Sequence, residues 1–215
     1  MRKLKLKNNT YPGKLIVFEG PDGAGKTTMI SLTMQMLEEK YGKEKLISVK
    51  QPTDMSRKTR LFQKMMYCKN HEDIDYRAVQ LLTMSDRVQH SFETIVPALK
   101  EGKIVVCDRY IFTSLANMLA RGYKKEKWFY GVSKYLIRPD VTFLAYVFPE
   151  LAIERIKNRP EECNRHLEED LLKNVAKEFL GMSKRESFTV LDTSKEPKEV
   201  FCFVEEKLTK EGILQ

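Results

Sequence analysis

The sequence lacks the long apolar segments of membrane and exported proteins. No apolar run approaches the roughly 18 residues needed to cross a bilayer, and the longest, residues 141–148, has the length of a strand. The basic start, residues 1–7, is not followed by the apolar stretch of a signal peptide. We therefore expect a cytoplasmic protein with no membrane association.

The sequence has few cysteines, and no two of them are close together in the chain. The four cysteines are far apart and form none of the short spacings that bind zinc or support a small disulfide framework. Cys107 and Cys202 lie in apolar segments, so we expect both to be small core residues. A reduced, cytosolic environment is consistent with this pattern.

Positive charge exceeds negative charge, with a formal net charge of +8 and an isoelectric point near 9.2. The sequence has no arginine-rich tail and no ribonucleoprotein pattern of aromatic and basic residues. Its lysines and arginines are spread along the chain, which is typical of a solvated surface combined with a site for small anions. We expect phosphorylated small molecules, and no nucleic acid, as partners.

Short apolar segments alternate with longer amphipathic segments along the chain. The apolar segments predict strands at residues 14–19, 45–50, 103–108, 141–147 and 188–191. The predicted helices cover residues 27–41, 57–67, 74–100 with a bend near Pro97, 111–121, 126–137, 149–158, 168–182 and 197–208. Strands that are apolar on both faces and separated by helices predict a three-layer α/β/α sandwich with about five parallel strands. The predicted domain covers residues 14–215, after an N-terminal extension of residues 1–13.

A glycine-rich segment, residues 20–27 (GPDGAGKT), matches the phosphate-loop pattern G-x-x-x-x-G-K-[ST] at every fixed position. It follows a predicted strand and opens a predicted helix, which is the required setting. Its glycines allow a turn whose N–H groups face phosphate oxygens, while Lys26 adds a catalytic positive charge and Thr27 can ligate Mg²⁺. We therefore expect the loop to bind a nucleoside triphosphate as the phosphate donor. The expected donor-binding residues of the loop are Gly20, Asp22, Gly23, Ala24, Gly25, Lys26, Thr27 and Thr28.

A second polar segment, Asp108, Arg109 and Tyr110, lies at the predicted carboxyl end of the third strand. Ligands of open α/β sheets bind outside these strand ends, so Asp108 is placed to hold Mg²⁺ through water. The guanidinium of Arg109 is suited to an anionic phosphate. An aspartate that only caps the following helix is the alternative interpretation.

Together, FEGPDGAGKTT at residues 18–28 and DRY at residues 108–110 resemble the thymidylate kinase family. The resemblance extends from residue 14 to residue 208. It implies a P-loop kinase fold with a small lid at about residues 155–168, and it implies a homodimer. In that family the acidic loop residue, here Asp22, approaches the acceptor sugar. The arginine of the second motif, here Arg109, binds the acceptor phosphate, and Tyr110 belongs to the same motif.

The resemblance also implies an acceptor segment after the second strand. Here the family's R-x-P pattern is replaced by Lys50, Gln51 and Pro52. Pro52 is expected in the acceptor site, and either Arg57 or Arg60 is expected to contact the acceptor phosphate.

The segment LLTMSDR, residues 81–87, resembles the base-binding helix of the family. Its arginine, Arg87, is expected to hydrogen-bond the pyrimidine edge. Thr83 stands where the family has a ring that stacks on the base, and Asn117 stands where a second aromatic residue is frequent. Either another ring, Phe112 or Tyr76, supplies the stacking, or the base preference differs.

Basic residues cluster between the predicted helices at residues 149–158 and 168–182. A phosphoryl group in transfer needs positive charge at its oxygens. Family members carry the required arginine in the phosphate loop or in the lid, and this loop has Gly23 at the arginine position. The resemblance therefore implies the bacterial-type arrangement, with Arg159 and Arg165 as catalytic candidates. Arg155 is expected at the base of the lid, on a phosphate or on the adenine ring, and ordinary helix-surface ion pairs are the alternative for each arginine.

The sequence therefore predicts a thymidylate kinase-like phosphotransferase that converts ATP and dTMP to ADP and dTDP in nucleotide biosynthesis. A kinase for another nucleoside monophosphate is the nearer alternative. A deoxynucleoside kinase would need a carboxylate base after the second strand, where this sequence has Lys50 and Gln51. A nucleotide-binding protein without catalysis is the alternative from another functional class.

Overall fold

The computed structural model describes residues 3–67, 73–160 and 167–215. Its strands are β1 (Lys14–Glu19), β2 (Leu46–Lys50), β3 (Ile104–Asp108), β4 (Val141–Tyr146) and β5 (Thr189–Asp192). Its helices are α1 (Lys26–Tyr41), α2 (Asp54–Arg57), α3 (Arg60–Tyr67), α4 (Tyr76–His90), α5 (Val96–Lys100), α6 (Ile111–Ala120), α7 (Lys127–Val132), α8 (Pro149–Lys157), α9 (Glu169–Glu186) and α10 (Pro197–Lys210). None of the helices in these ranges combines the length and the apolar composition that a membrane span requires.

The five strands form one parallel sheet in the order β2-β3-β1-β4-β5. β1 is central, and Phe18 near its end pairs with Asp108 at the end of β3. The segments that follow these two strands are the phosphate loop and the D-R-Y motif. Because the strands are parallel neighbours, both motifs leave the sheet side by side at its carboxyl edge.

Helices cover both faces of this sheet. Successive residues of a strand point to opposite faces, so Leu15 and Val17 pack on one side with residues of α4, α5, α6 and α9. Ile16 and Phe18 pack on the other side with residues of α1 and α10. The predicted three-layer α/β/α fold with five parallel strands is confirmed.

The single helix predicted at residues 57–67 is wrong, because two helices meet there. α2 begins after Thr53 and ends at Arg57. The side chain of Thr53 caps it by accepting a hydrogen bond from the backbone N–H of Met55. The hydroxyl of Thr59 then accepts from the backbone N–H of Phe62 at 3.2 Å. Such a cap stabilises a new helix start, so α3 begins at the next residue.

The irregularity expected near Pro97 takes the form of a π-helical turn, Ser91–Ile95, between α4 and α5. Proline lacks an N–H group and its ring crowds the carbonyl four residues earlier. The wider turn ends at Ile95, two residues before this proline, and the N–H of Val96 bonds the carbonyl of Ser91. A π turn is one of the recognised ways in which a helix accommodates such a residue.

The helix predicted at residues 126–137 is shorter, because its end pairs with the N-terminal extension. α7 continues only as a 3₁₀ turn, Ser133–Tyr135. The N–H of Lys7 then bonds the carbonyl of Leu136 at 2.9 Å, and Leu4 and Leu6 are buried in the core. Tertiary pairing therefore overrides the helical pattern.

The prediction for the cysteines is half right. Cys107 is buried in β3, whereas Cys202 is exposed. Cys202 lies on the side of α10 opposite Val200 and Val204, which face the core. An apolar segment that forms a helix buries one side only, and this residue falls on the other.

Candidate active site

The phosphate loop connects β1 to α1 and depends on glycine at three positions. Gly20, Gly23 and Gly25 have φ angles of 141°, 76° and 78°, a region that residues with a Cβ rarely adopt. A Cβ atom at Gly23 would also lie 2.4 Å from the carbonyl oxygen of Ala152. The loop therefore has no room for a catalytic arginine at this position.

Lys26 begins α1 and is buried beneath the loop. Its Nζ atom donates to the carbonyl oxygens of Gly20 at 3.0 Å and Pro21 at 2.7 Å. Burial lowers the pKa of the ammonium to about 7, and the positive charge of Arg109 acts in the same direction. A phosphate anion beside this group would raise its pKa again, because an opposite charge favours the charged form. The loop thus holds a cation that a bound triphosphate stabilises.

Arg109 links the second motif to the phosphate loop. Its backbone has a φ of 67°, a left-handed conformation that costs a residue with a side chain about 1–2 kcal/mol. Its Nη1 atom donates to the carbonyl oxygen of Gly20 at 2.9 Å, and its Nη2 atom forms an ion pair with Asp22. The predicted donor and acceptor residues therefore belong to one connected cluster.

Glu19, the completely buried last residue of β1, also joins the two motifs. Its Oε1 atom accepts from the N–H groups of Tyr110 at 2.8 Å and Thr113 at 3.2 Å, and its Oε2 atom accepts from the Thr113 hydroxyl. Burial raises the pKa of the carboxyl to about 6, against the lowering effects of Thr113 and Arg109. Sequence reasoning missed this residue, although a lone carboxylate directly after the apolar run LIVF was an available signal.

One cavity of about 370 Å³ extends from the carboxyl ends of β1, β2 and β3 to helices α3, α4, α6 and α9. Most of the predicted site residues line it: Asp22, Gly23, Ala24, Gly25, Lys26, Thr27, Thr28, Pro52, Arg57, Thr83, Arg87, Asp108, Arg109, Asn117 and Arg159. Several residues not predicted for the site line it as well: Lys50, Phe62, Gln80, Thr113, Ser114 and Arg121. The cavity therefore joins the phosphate loop to the expected acceptor region.

Gly20 and Arg60, which were predicted to contact phosphates, do not line the cavity in the described ranges. Gly20 contributes its carbonyl oxygen to Lys26 and Arg109. Arg60 is exposed at the start of α3. Of the two candidate arginines in this region, Arg57 is the one that lines the cavity, where its Nε atom donates to the carbonyl of Pro52 at 2.6 Å.

Two further predicted residues are used elsewhere. The ring of Tyr110 is buried, and its hydroxyl donates to the carbonyl of Ile137 at 3.0 Å. Arg155 donates from Nη2 to the carbonyl of Thr193 at 3.0 Å. Neither lines the cavity in the described ranges. The predicted catalytic residue Arg165, with much of the expected lid, lies outside the described residues.

Arg87 lies on the cavity side of α4 and is 1% exposed. Its guanidinium donates to the carbonyl oxygens of Tyr110 at 3.0 Å and Thr83 at 3.3 Å. Its Nε atom has no hydrogen-bond partner among the described residues, and burial lowers the pKa of the group. A buried donor with unused capacity is suited to a polar group of a ligand.

Aromatic surface in the cavity comes from Tyr76 and Phe62, which both line it. The guanidinium of Arg121 lies 4.1 Å from the centroid of the Tyr76 ring, and its Nη1 atom donates to Asn117 at 2.9 Å. Such a pair presents a flat, charged surface of the kind on which bases stack. The other candidate ring, Phe112, is buried in the core.

Among the described residues, cations outnumber acids on the cavity wall. The lysines and arginines of these ranges that line it are Lys26, Lys50, Arg57, Arg87, Arg109, Arg121 and Arg159, and the acids are Asp22, Asp108 and Glu168. The Oδ2 atom of Asp108 lies 3.6 Å from Nζ of Lys50. A cationic cavity of this kind attracts phosphorylated ligands.

A protein-family model described as thymidylate kinase matches residues 18–204. The chain belongs to the thymidylate kinase family. It is 36% identical over 199 residues to a thymidylate kinase of Geobacillus sp. strain WCH70. The aligned region covers 88% of this chain and 93% of that protein. It is 40% identical over 150 residues to a probable thymidylate kinase of Pyrococcus horikoshii. This aligned region covers 68% of this chain and 71% of that protein.

The fold is also that of a solved thymidylate kinase. The crystal structure of the enzyme from Ehrlichia chaffeensis matches with a TM-score of 0.67 at 24% identity, over 91% of this chain and 98% of that chain. Family membership and fold together confirm the prediction of a P-loop nucleoside monophosphate kinase.

Proposed function

We propose that this protein transfers the γ-phosphate of ATP to dTMP, forming ADP and dTDP. The observation that carries the proposal is that one cavity has Lys26 on its donor side and Arg87 and Arg109 on its acceptor side. An oxygen of the dTMP phosphate attacks the γ-phosphorus, and the bond from this phosphorus to the β–γ bridging oxygen breaks. Because the acceptor is already an anion, positioning and charge neutralisation suffice without a strong base.

On the donor side, residues 20–27 would surround the phosphates of ATP. Arg155 has a different role in this proposal. It holds the carbonyl of Thr193, while the hydroxyl of Thr193 donates to the carbonyl of Ala24 at 2.9 Å. We therefore infer that Arg155 stabilises the phosphate loop through Thr193 and does not contact ATP.

Thr27 and Asp108 fit a Mg²⁺ ion. Both line the cavity, and the buried Oδ1 atom of Asp108 has no hydrogen-bond partner in the described part of the chain. Mg²⁺ typically uses one or two carboxylates together with waters and substrate phosphates. When bound, the ion would neutralise charge on the phosphates.

On the acceptor side, Arg57 and Arg109 would bind the dTMP phosphate. Arg159 lines the cavity from the lid side, so it is the catalytic lid arginine that we propose among the described residues. Arg165 stays a prediction. Positive charge from a lid acts on the transferring oxygens when water is excluded.

The pyrimidine would contact Arg87 through its polar edge and the pair Tyr76 and Arg121 through its face. In this proposal Tyr76 and Arg121 provide the stacking surface that the family's ring at the Thr83 position would provide. The cavity can therefore bind dTMP without an aromatic residue at position 83. A different monophosphate is the alternative, because Gln80 and Asn117 add polar groups to the same wall.

The deoxynucleoside kinase alternative has less support. Its hydroxyl acceptor needs a carboxylate base after β2, where Lys50 lines the cavity. The nearby carboxylate of Asp86 is occupied, because its two oxygens accept from the N–H and the hydroxyl of Thr53 at 2.7 Å and 2.8 Å.

The protein is further proposed to work in the cytoplasm as a homodimer. Leu81 and Phe92 on the outer side of α4 and its π extension are 53% and 75% exposed. Their spacing of eleven residues is about three helical turns, so the two side chains lie on the same side of the helix. Exposed apolar faces of this kind mark protein interfaces.

The deciding experiment measures ADP release with ATP and Mg²⁺ against a panel of dTMP, dUMP, dCMP, dAMP, dGMP and thymidine. We expect turnover with dTMP above the other monophosphates and none with thymidine. The Lys26→Ala variant, which lacks the buried cation, should lose at least about 100-fold in kcat. Turnover with thymidine alone would overturn the proposal, and a preference for another monophosphate would overturn its choice of base.

A further inference from the structure

We propose that Glu19 is a positioning residue for Arg109: it fixes both the backbone and the guanidinium of that arginine through two separate hydrogen-bonded routes. The inference rests on the proposed function, because it takes Arg109 as the cation that binds the acceptor phosphate. Glu19 itself does not line the cavity in the described structure, so it acts through Arg109 and not on the substrate.

The first route holds the backbone. Arg109 has a left-handed φ of 67°, and such a conformation persists only where the surroundings fix it. Its own N–H bonds the carbonyl of Phe18 at 2.9 Å, and the next N–H, of Tyr110, bonds Oε1 of Glu19 at 2.8 Å. The peptide groups on both sides of the strained residue are thus tied to the last two residues of β1.

The same carboxylate supplies the cap of α6. The residue before this helix is Tyr110, whose side chain makes no capping hydrogen bond in the described structure. Glu19 instead accepts from the N–H of Tyr110 and from the N–H of Thr113, the third residue of the helix. A negative charge is favourable at a helix start, so α6 is fixed relative to the phosphate loop by a residue of β1.

The second route holds the side chain. The hydroxyl of Thr113 donates to Oε2 of Glu19 and accepts from Nη1 of Arg109 at 3.3 Å. One hydroxyl therefore connects the buried carboxylate to the guanidinium. The other partners of this guanidinium, Gly20 and Asp22, belong to the phosphate loop, so its direction is set from three sides.

The charges around Glu19 agree with this assignment. The positive charges of Arg109 and Arg87 lower the pKa of Glu19 and favour its ionised form. The negative charge of Glu19 in turn raises the pKa of Lys26 and that of the buried Cys107 thiol. A fully buried carboxylate at the end of an apolar strand is unfavourable unless it is hydrogen-bonded. Its hydrogen bonds all go to the segment that carries Arg109 and begins α6.

The test is the Glu19→Gln variant, measured near pH 8 with ATP and dTMP. Glutamine keeps the shape and the acceptor at Oε1, but its NH₂ group cannot accept the Thr113 hydroxyl. We expect the KM for dTMP to rise about 10- to 100-fold, as for outer residues that orient a site. The KM for ATP should change less than about threefold, because Lys26 and the loop glycines keep their contacts.

Glu186→Gln is the matched control. Glu186 is a second mostly buried carboxylate, at the end of α9, where its Oε2 atom lies 3.5 Å from Nη1 of Arg138. It does not line the cavity in the described ranges. This variant should leave both KM values unchanged, which separates the role of Glu19 from a general effect of losing a buried carboxylate.

Thr113→Val is the second variant and carries the test if Glu19→Gln does not fold. It breaks the side-chain route and leaves the carboxylate on the backbone N–H groups, so the KM for dTMP should rise less than in Glu19→Gln. The double variant should resemble Glu19→Gln alone, because the two residues act through one connection.

An unchanged KM for dTMP in these variants, or equal rises in both KM values, would overturn the inference and leave the proposed function intact. A native enzyme that phosphorylates no monophosphate would overturn the proposed function and this inference with it.

Discussion

Two buried ionisable side chains next to the phosphate loop are placed where burial opposes their charge. Burial lowers the pKa of Lys26 to about 7 and raises that of Glu19 to about 6. Both groups have partners that partly restore the charged form: the carboxylates of Asp22, Asp108 and Glu19 for Lys26, and the hydroxyl of Thr113 for Glu19. Shifted pKa values of this kind cluster at functional sites, and here Glu19 directly precedes the phosphate loop while Lys26 lies at its end.

The shift at Glu19 predicts a pH-dependent stability difference between the native protein and the Glu19→Gln variant. The folded pKa of about 6 exceeds the ordinary value of 4.5, so the folded state binds the proton more tightly. The stability from protonated Glu19 is present below pH 4.5 and is lost as the pH rises through 6. Because the variant does not titrate, its free energy of unfolding should gain about 2 kcal/mol relative to the native protein between pH 4.5 and pH 7.5.

Urea unfolding at pH 4.5, 6 and 7.5 measures this difference. The relative gain in the unfolding free energy of the variant should be complete by about pH 7. Unfolding free energies that run parallel in the two proteins across this range would contradict the raised pKa.

Residue identities within the short motifs were predictable, whereas partners from distant segments were not. The loop glycines, Lys26 and Arg109 follow from the chemistry of phosphate binding. Arg121 was missed because its place over Tyr76, 45 positions earlier, depends on how α6 packs beside α4. Thr83 lines the cavity as expected, but the aromatic rings that line it are those of Tyr76 and Phe62, among the described residues.

At the scale of elements, α4 serves two surfaces at once. Its inner side carries Thr83 and Arg87 into the cavity, while its outer side exposes Leu81 and, within the π turn that follows α4, Phe92. A dimer formed on the outer side would therefore rest directly behind the acceptor site. The sequence shows the inner residues as a motif, but which apolar residues stay exposed depends on the packing of the neighbouring helices.

The exposed side of α4 predicts that Phe92→Glu separates the proposed dimer. A charged side chain in an apolar interface is unfavourable because it loses its hydration without a partner. Light scattering after size exclusion should give about 50 kDa for the native protein, twice the chain mass of 25.2 kDa, and about half of that for the variant. Phe203→Glu is the control, since Phe203 is 49% exposed on α10. A Phe92→Glu protein that remains dimeric would exclude this face as the interface.

Helix boundaries show the same division between local and distant causes. The break between α2 and α3 is local, because Thr53 and Thr59 provide the caps. The early end of α7 is not, because residues 136–138 pair with the segment around Lys7. The first could be read from capping residues, while the second required the position of a segment more than 120 residues away.

At the scale of the whole molecule, the site and the N-terminal extension lie at opposite edges of the sheet. The cavity lies at the carboxyl ends of the strands, whereas Lys7 pairs with residues just before β4 begins. At the same amino edge, the carboxylate of Asp140 accepts from Asn9 at 2.7 Å and from the N–H of Leu15 at 2.8 Å. The extension therefore stabilises the domain away from the chemistry.

This separation predicts that Leu6→Ala weakens the fold without changing catalysis. Leu6 is 7% exposed in the main core cluster, and the loss of a buried leucine side chain costs about 2–5 kcal/mol. The neighbouring Lys5→Ala, on the exposed side of the segment, should change stability by less than about 0.5 kcal/mol. Urea unfolding measures both effects. Altered KM values for ATP or dTMP in a folded Leu6→Ala protein would contradict the separation of the two edges.

The sequence by itself determined the sheet, the helical layers, the phosphate loop and the enzyme family. These depend on short-range patterns, namely apolar periodicity and glycine and charged residues at fixed spacing, which keep their meaning in any surroundings. Only the tertiary structure decided that Arg57 and not Arg60 lines the cavity, that Tyr110 belongs to the core, and that Glu19 accepts hydrogen bonds from Tyr110 and Thr113. The physical reason is that hydrogen bonds and ring contacts between distant segments depend on the register of parallel strands and on which side of each helix packs inward.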